Sequence, residues 1–138
     1  MNETLVTLVG NVATGMDYRE SPSGAVVRFR FAVTPRYRDR QGEGWKDGAT
    51  SFYTVWARRA LAVNLAGSVA SGEPLVVHGR LRVRDEEGDG KRRFSADIDA
   101  VAIGHDLNRG TSAFRRIIRA DAPLTSPLLT VTQKAAEV

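Results

Sequence analysis

Tyr37 stands between Arg36 and Arg38, and Trp45 is followed at once by Lys46. Further on, Ser51-Phe52-Tyr53-Thr54-Val55-Trp56 has the aromatic and β-branched content of a strand, and a period of two puts Phe52, Thr54, Trp56 and then Arg58 on one face. Flat rings beside guanidinium groups suit one chemistry in particular. Unpaired nucleic-acid bases stack on aromatic rings for about 1–3 kcal/mol each, while neighbouring cations neutralise the phosphates. Two arginine ladders extend the pattern. Arg28 and Arg30 alternate with Val27, Phe29, Phe31 and Val33, and Arg80, Arg82 and Arg84 alternate with Leu81 and Val83. Each ladder leaves its strand on the face away from the core, as plain solvated surface or as a track for phosphate. Any one strand aromatic has a core reading too, but four beside cations in one region favour a binding face.

Other candidate chemistry is sparse. Asp97-Ile98-Asp99 places two carboxylates on one strand face. They suffice for one divalent cation, yet a metal-dependent nuclease needs a further carboxylate and an activated water, so alternating acids on an exposed face is the plainer reading. His105-Asp106 reads as a polar pair at a strand end. Neither G-x-x-x-x-G-K-[ST] nor G-x-G-x-x-G occurs, so nothing indicates nucleotide hydrolysis or dinucleotide binding. The chain has no cysteine, which excludes a disulfide scaffold, a thiol nucleophile, a zinc finger and an iron–sulfur site. His78 and His105 are the only imidazoles. No metal, no cofactor and no catalytic residue is expected.

Charge supports the same direction. Seventeen of the twenty cations are Arg, the formal net charge is +4, and from Arg28 to Arg84 eleven cations face four anions. Arginine forks onto phosphate and stacks on bases better than lysine does. A GC-rich genome also encodes arginine, so composition alone does not decide for a polyanion partner.

The elements that must position these residues read as a single all-β domain with a tail. In 138 residues there is room for one domain. Leu5 to Val9 opens it as a strand that Gly10-Asn11 breaks or bulges; Ser21-Pro22-Ser23-Gly24 is a turn; Val26 to Val33 is a half-buried strand. The polar, glycine-containing stretch from Arg36 to Thr50 reads as a long flexible hairpin loop leading into the aromatic strand. Ala60 to Ala66 is the one good helix candidate, with Leu61, Leu65 and Val69 on one face and Gly72 and Pro74 as the stop. Leu75 to Arg84 and Phe94 to Ile103 are strands, and Asp85 to Gly90 is a hairpin tip with two glycines available for positive φ. Three strands, a helix and two strands fit a five-stranded Greek-key barrel of the OB type, its short α-helix between strands 3 and 4. Residues 1–107 form this domain. Residues 108–138 form a flexible, mildly basic tail, with one helical turn available at Phe114 to Ile118 and Pro123 and Pro127 against order beyond. No stretch is apolar enough to span a bilayer and Met1-Asn2-Glu3 does not start a signal peptide, so a cytoplasmic protein with no membrane partner is expected.

Leu8-Val9-Gly10-Asn11, Val27-Arg28-Phe29-Arg30-Phe31-Ala32-Val33, Phe52-Tyr53-Thr54-Val55-Trp56 and Val77-His78-Gly79-Arg80-Leu81-Arg82-Val83-Arg84 closely resemble the bacterial single-stranded DNA-binding protein family, in register from about Asn2 to Asp106. Ile103 to Leu107 and Gly110 to Arg116 resemble the paralogous form found in actinobacteria. The resemblance implies a non-enzymatic, OB-fold binder that assembles as a homotetramer and protects single strands, without sequence preference, during replication, recombination and repair at the nucleoid. It places the family's stacking aromatics on Tyr37 and Phe52, a third such position on Arg58 and a fourth on about Glu86. Arg58 can stack by cation–π contact and Trp56 can compensate, whereas Glu86 repels phosphate, so weaker binding or a shorter footprint is expected. The family's acidic, Phe-terminated tip is missing from Gln133 to Val138, so recruitment of replication enzymes through the tail is not expected. The expected DNA-binding set is thus Tyr37, Phe52, Trp56 and Trp45 with Arg28, Arg30, Arg36, Arg38, Arg58, Arg80, Arg82 and Arg84. The rival readings are an OB-type metal-dependent nuclease and an RNA-binding or protein-assembly OB module.

Overall fold

The computed structural model describes residues 3–38, 41–42 and 44–117. Five strands build the barrel: β1 (Leu5–Val12), β3 (Gly24–Val33), β6 (Ser51–Arg58), β7 (Pro74–Gly88) and β8 (Lys91–His105). They run in the order β1-β7-β8-β6-β3, and a second pairing between β1 and β3 closes the ring. β6 and β8 are parallel, and the other pairs are antiparallel. The one helix among the described residues, α1 (Arg59–Ser68), joins β6 to β7, between the third and fourth barrel strands as expected. Three short strands were not foreseen. β2 (Asp17–Ser21) pairs with β3 at the sheet edge, and β4 (Arg36–Arg38) pairs with β5 (Trp45–Asp47) as a separate ribbon inside the expected loop.

Period-two alternation explains the barrel. Val27, Phe29 and Phe31 of β3, Val55 and Ala57 of β6, Leu75 and Val77 of β7 and Ile98 of β8 are all buried in one core. Phe29 and Phe31 meet edge to face, with ring centroids 6.0 Å apart. Helix α1 buries Ala62 and Leu65 against this core, with Leu61 and Val69 partly covered beside them. The chain passes from β6 into α1 through Arg59, whose φ of 57° is a left-handed conformation that side chains rarely take.

Two expectations about turns need correction. Gly10-Asn11 does not interrupt β1: the strand runs on to Val12 and exchanges its partner, from β7 up to Asn11 to β3 at Asn11 and Val12. Gly10 is needed because a Cβ there would collide with the Ala32 carbonyl oxygen. The acidic stretch Asp85 to Gly88 is strand, not tip. β7 and β8 stay paired out to Gly88 opposite Lys91, and the turn is only Asp89 (φ 52°) and Gly90 (φ 72°), both left-handed as a two-residue hairpin turn requires. Beyond the barrel this arm has little apolar surface to bury and is held by charge, with Arg92 forking onto Asp85 at 3.0 and 2.7 Å.

Residues 111–117 form neither helix nor strand, so no helical turn starts at Phe114, which is 81% exposed. This segment is tied to the barrel through Ser112, whose hydroxyl lies 2.8 Å from His105 Nδ1. Ile118 and the rest of the expected tail lie outside the described residues.

Candidate nucleic-acid interface

The barrel's outer wall gathers most of the expected residues on one surface. In register, Ala32 faces Phe52, Arg30 faces Thr54 and Arg28 faces Trp56 across β3 and β6. On the other side of β6, Thr54 lies beside Asp97 and Trp56 beside Asp99, and β7 then places Arg82 opposite Asp97 and Arg80 opposite Asp99. Rings, arginines and two carboxylates therefore share a continuous four-strand face.

The environments within this face differ. Phe52 is half exposed, and Arg30 reaches over its ring at 5.5 Å while donating to Thr54 Oγ1 at 3.1 Å. Trp56 is only partly exposed. The Arg28 and Arg58 guanidiniums lie 5.7 and 5.8 Å from its ring centroid, and its indole N–H donates to Asp97 Oδ2 at 3.4 Å. Trp56 thus serves the arginines around it as an anchor rather than standing open like Phe52. Arg28 also donates to Asp17 Oδ2 at 2.9 Å, and this hydrogen bond, with help from Arg19, holds the Asp17 carboxyl below the usual carboxylate range.

Asp97 and Asp99 are not the exposed alternating acids expected. Asp97 is buried, and the Asp99 side chain is 18% exposed. Arg82 meets Asp99 at 2.7 Å, Arg58 reaches it at 3.8 Å, and Arg84 lies 3.6 Å from Asp97. Guanidiniums occupy the places a cation would take, and no cluster of three metal-ligating side chains occurs among the described residues. At the end of β8, His105 Nε2 pairs with Glu73 at 3.0 Å and not with Asp106. The Glu73 carboxyl is held below its ordinary range, first by the Ala70 backbone N–H and then by His105.

The remaining candidates sit on the β4–β5 ribbon. It continues the β3–β6 hairpin past the Thr34–Thr50 hydroxyl contact of 2.7 Å, and pairs Tyr37 with Lys46 and Arg38 with Trp45. Tyr37 is 52% and Trp45 65% exposed, and no ring contact joins either to the barrel aromatics among the described residues. Arg36 is paired loosely with Asp47 at 3.5 Å. Arg80 pairs with Glu3 at 2.8 Å. Among the described residues, Arg30 and Arg38 have no carboxylate partner.

Local reading missed what Asp97 and Asp99 do, yet a signal was available. Once Asp89-Gly90 is taken as a two-residue turn, counting back from Gly88 opposite Lys91 puts Arg82 opposite Asp97. The carboxylates and the arginine ladder are facing neighbours by hairpin register.

A closed five-stranded barrel with a helix between its third and fourth strands, and with rings and arginines on one outer wall, is an OB fold. The chain belongs to the single-strand binding protein family, whose model matches residues 3–106. It is 63% identical over 116 residues to single-stranded DNA-binding protein 2 of Streptomyces avermitilis, covering 84% of this chain and 73% of that protein. It is 58% identical over 127 residues to single-stranded DNA-binding protein 1 of Streptomyces coelicolor, covering 92% of this chain and 81% of that one. The crystal structure of the small single-stranded DNA-binding protein from Streptomyces coelicolor superposes with a TM-score of 0.75 at 57% identity, over 80% of this chain and all of that one. These Streptomyces relatives agree with the actinobacterial form that the sequence resembles.

Proposed function

We propose that this protein binds single-stranded DNA without sequence preference and protects it during replication, recombination and repair. The observation that carries this is the pairing of open rings with guanidiniums: Phe52 beside Arg30 on the barrel, and Tyr37 and Trp45 beside Arg36 and Arg38 on the ribbon. Bases stack on the rings. Arg30, Arg36 and Arg38 supply most of the phosphate neutralisation. Arg28, Arg58, Arg80, Arg82 and Arg84, each already paired with a carboxylate, line the path of the strand with part of their charge, and Trp56 orders Arg28 and Arg58. The nuclease reading loses its cation site to the arginines that hold Asp97 and Asp99.

The binding unit is residues 1–107, with 108–138 as an accessory, mildly basic tail. The protein acts in the cytoplasm, at the nucleoid. No helix among the described residues is long and apolar enough to cross a membrane. Self-association into a homotetramer is supported by β1. From Leu5 to Gly10 its edge away from β7 carries no partner strand among the described residues, and Leu5 and Val9 are 55% and 53% exposed.

The test is a fluorescence titration of the protein, which contains two tryptophans, with a single-stranded oligonucleotide, the same sequence as RNA, and its duplex, with and without magnesium. Quenching, tightest with single-stranded DNA and unaccompanied by cleavage, is expected. Equal affinity for duplex, a preference for RNA, or magnesium-dependent cleavage overturns the reading.

A further inference from the structure

The wall that carries the arginine rows is largely neutralised from beneath. Arg58, Arg82 and Arg84 are 57–61% exposed at their side chains, whereas the Asp97 and Asp99 side chains that hold them are 12% and 18% exposed. The carboxylates lie below and the guanidiniums above. Asp99 bridges two strands, taking Arg58 from β6 on one oxygen and Arg82 from β7 on the other. Asp97 takes Arg84 and the Trp56 indole N–H on a single oxygen. Three cations over two anions leave this patch with about one net charge, and its two flanks are compensated as well, Arg28 by Asp17 and Arg80 by Glu3.

Such compensation weakens attraction to any polyanion, but not equally in effect. A duplex offers dense phosphate and no free base face, so its hold on a flat protein wall is electrostatic. A single strand also stacks, and stacking does not depend on the net charge of the wall. The geometry points to Asp97 and Asp99 as specificity-determining residues: tethered counter-anions that compete with phosphate for Arg58, Arg82 and Arg84, and so keep duplex DNA off a face meant for single strands. This rests on the single-strand reading above and adds the class of competitor that the site rejects.

Asp99→Asn is the deciding variant, because the amide keeps shape and one acceptor while removing the charge. The full chain and the variant are titrated with a single-stranded oligonucleotide and its duplex across a salt series, with folding checked by thermal melting. The expected result is duplex affinity raised about 3- to 10-fold near 0.1 M salt, a log–log salt slope steeper by about 1, and a smaller proportional gain for single-stranded DNA. In the double variant Arg82→Gln/Asp99→Asn, duplex affinity and slope return toward those of the parent. A folded Asp99→Asn protein whose duplex affinity is unchanged or lower overturns the proposal, as does a double variant that keeps the full gain. Asp97→Asn follows the same pattern if it folds; if it does not, Asp99→Asn alone decides. A parent protein that fails to bind single strands sinks the functional reading instead, and the two failures are read from different titrations.

Discussion

The barrel wall and the β4–β5 ribbon use the same two residue types in opposite ways. On the wall, Arg58, Arg82 and Arg84 are held by covered carboxylates, and Arg28 and Arg58 lie against the Trp56 ring. On the ribbon, Tyr37 and Trp45 stand more than half exposed, Arg36 has only a loose and exposed pair, and Arg38 lacks a carboxylate partner among the described residues. Exposed ion pairs of this kind contribute little stability, about 0–1 kcal/mol, and exchange readily for phosphate. The wall is therefore a pre-arranged, nearly neutral surface on which Phe52 is the open ring. The ribbon presents two open rings beside Arg36, which has only an exposed 3.5 Å pair with Asp47, and Arg38, which has no carboxylate partner among the described residues. Binding energy is expected to come from rings in both regions, but from charge mainly in the ribbon and at Arg30.

The largest effect should come from removing one open ring from each region. Tyr37→Ala and Phe52→Ala should each weaken single-strand binding by about 1–3 kcal/mol, and the double variant by close to the sum, because the rings lie on separate elements. Titration with thermal melting checks this. Loss of the fold in Phe52→Ala shows that ring to be structural.

Trp56→Ala should behave differently from Phe52→Ala. It removes a half-covered ring and leaves Asp97 with one donor fewer, so the melting temperature should fall, at a cost of about 1–3 kcal/mol. Binding should fall only to the extent that Arg28 and Arg58 lose their places. A stable Trp56→Ala protein with the binding loss of Phe52→Ala would erase the distinction between open and anchoring rings.

How far the sequence carries such distinctions depends on range. The alternation through Val27, Phe29 and Phe31 and the aromatic strand at Phe52 to Trp56 encode their own faces, so the barrel and the outward direction of the arginines were legible from local pattern. β2 was not, because four of its five residues are exposed and it is held by its hairpin with β3, which leaves no apolar alternation to read. The outer arm of β7–β8 escaped for a related reason: charge pairs such as Arg92 with Asp85 replace the apolar signal there. The site was legible as a list of rings and arginines. The division among them was not, since it depends on which strand lies beside which. Asp99 reaches Arg58 only through the parallel β6–β8 pairing, a contact between residues far apart in the chain.

A smaller effect separates the arginines. Arg30→Gln should lower single-strand affinity and flatten the salt slope by close to one phosphate contact, whereas Arg82→Gln should change the slope by less, because Asp99 already uses part of that charge. Slopes measured for the two variants side by side check this; an equal change in both would show that Asp99 does not hold back the Arg82 charge.

The smallest effect lies away from the face. Because the folded Glu73 carboxyl is held below its ordinary range, its contribution to stability is present at neutral pH and is lost as pH falls into and below the carboxylate range. Glu73→Gln should therefore melt below the parent at pH 7, with the gap closing on acidification. A gap that widens at low pH has the wrong sign for this contact.

If rings, rather than net charge, dominate binding, the salt dependence of the unaltered protein will show it. If all eight arginines of the set neutralised phosphate, the log–log slope for a single strand would approach about −5 to −6 per protomer, at about −0.7 for each contact. With most of them internally compensated, a slope of about −2 to −3 is predicted, together with tryptophan quenching that persists at high salt. A slope near −6, with quenching and binding both abolished by salt, would show that charge dominates instead.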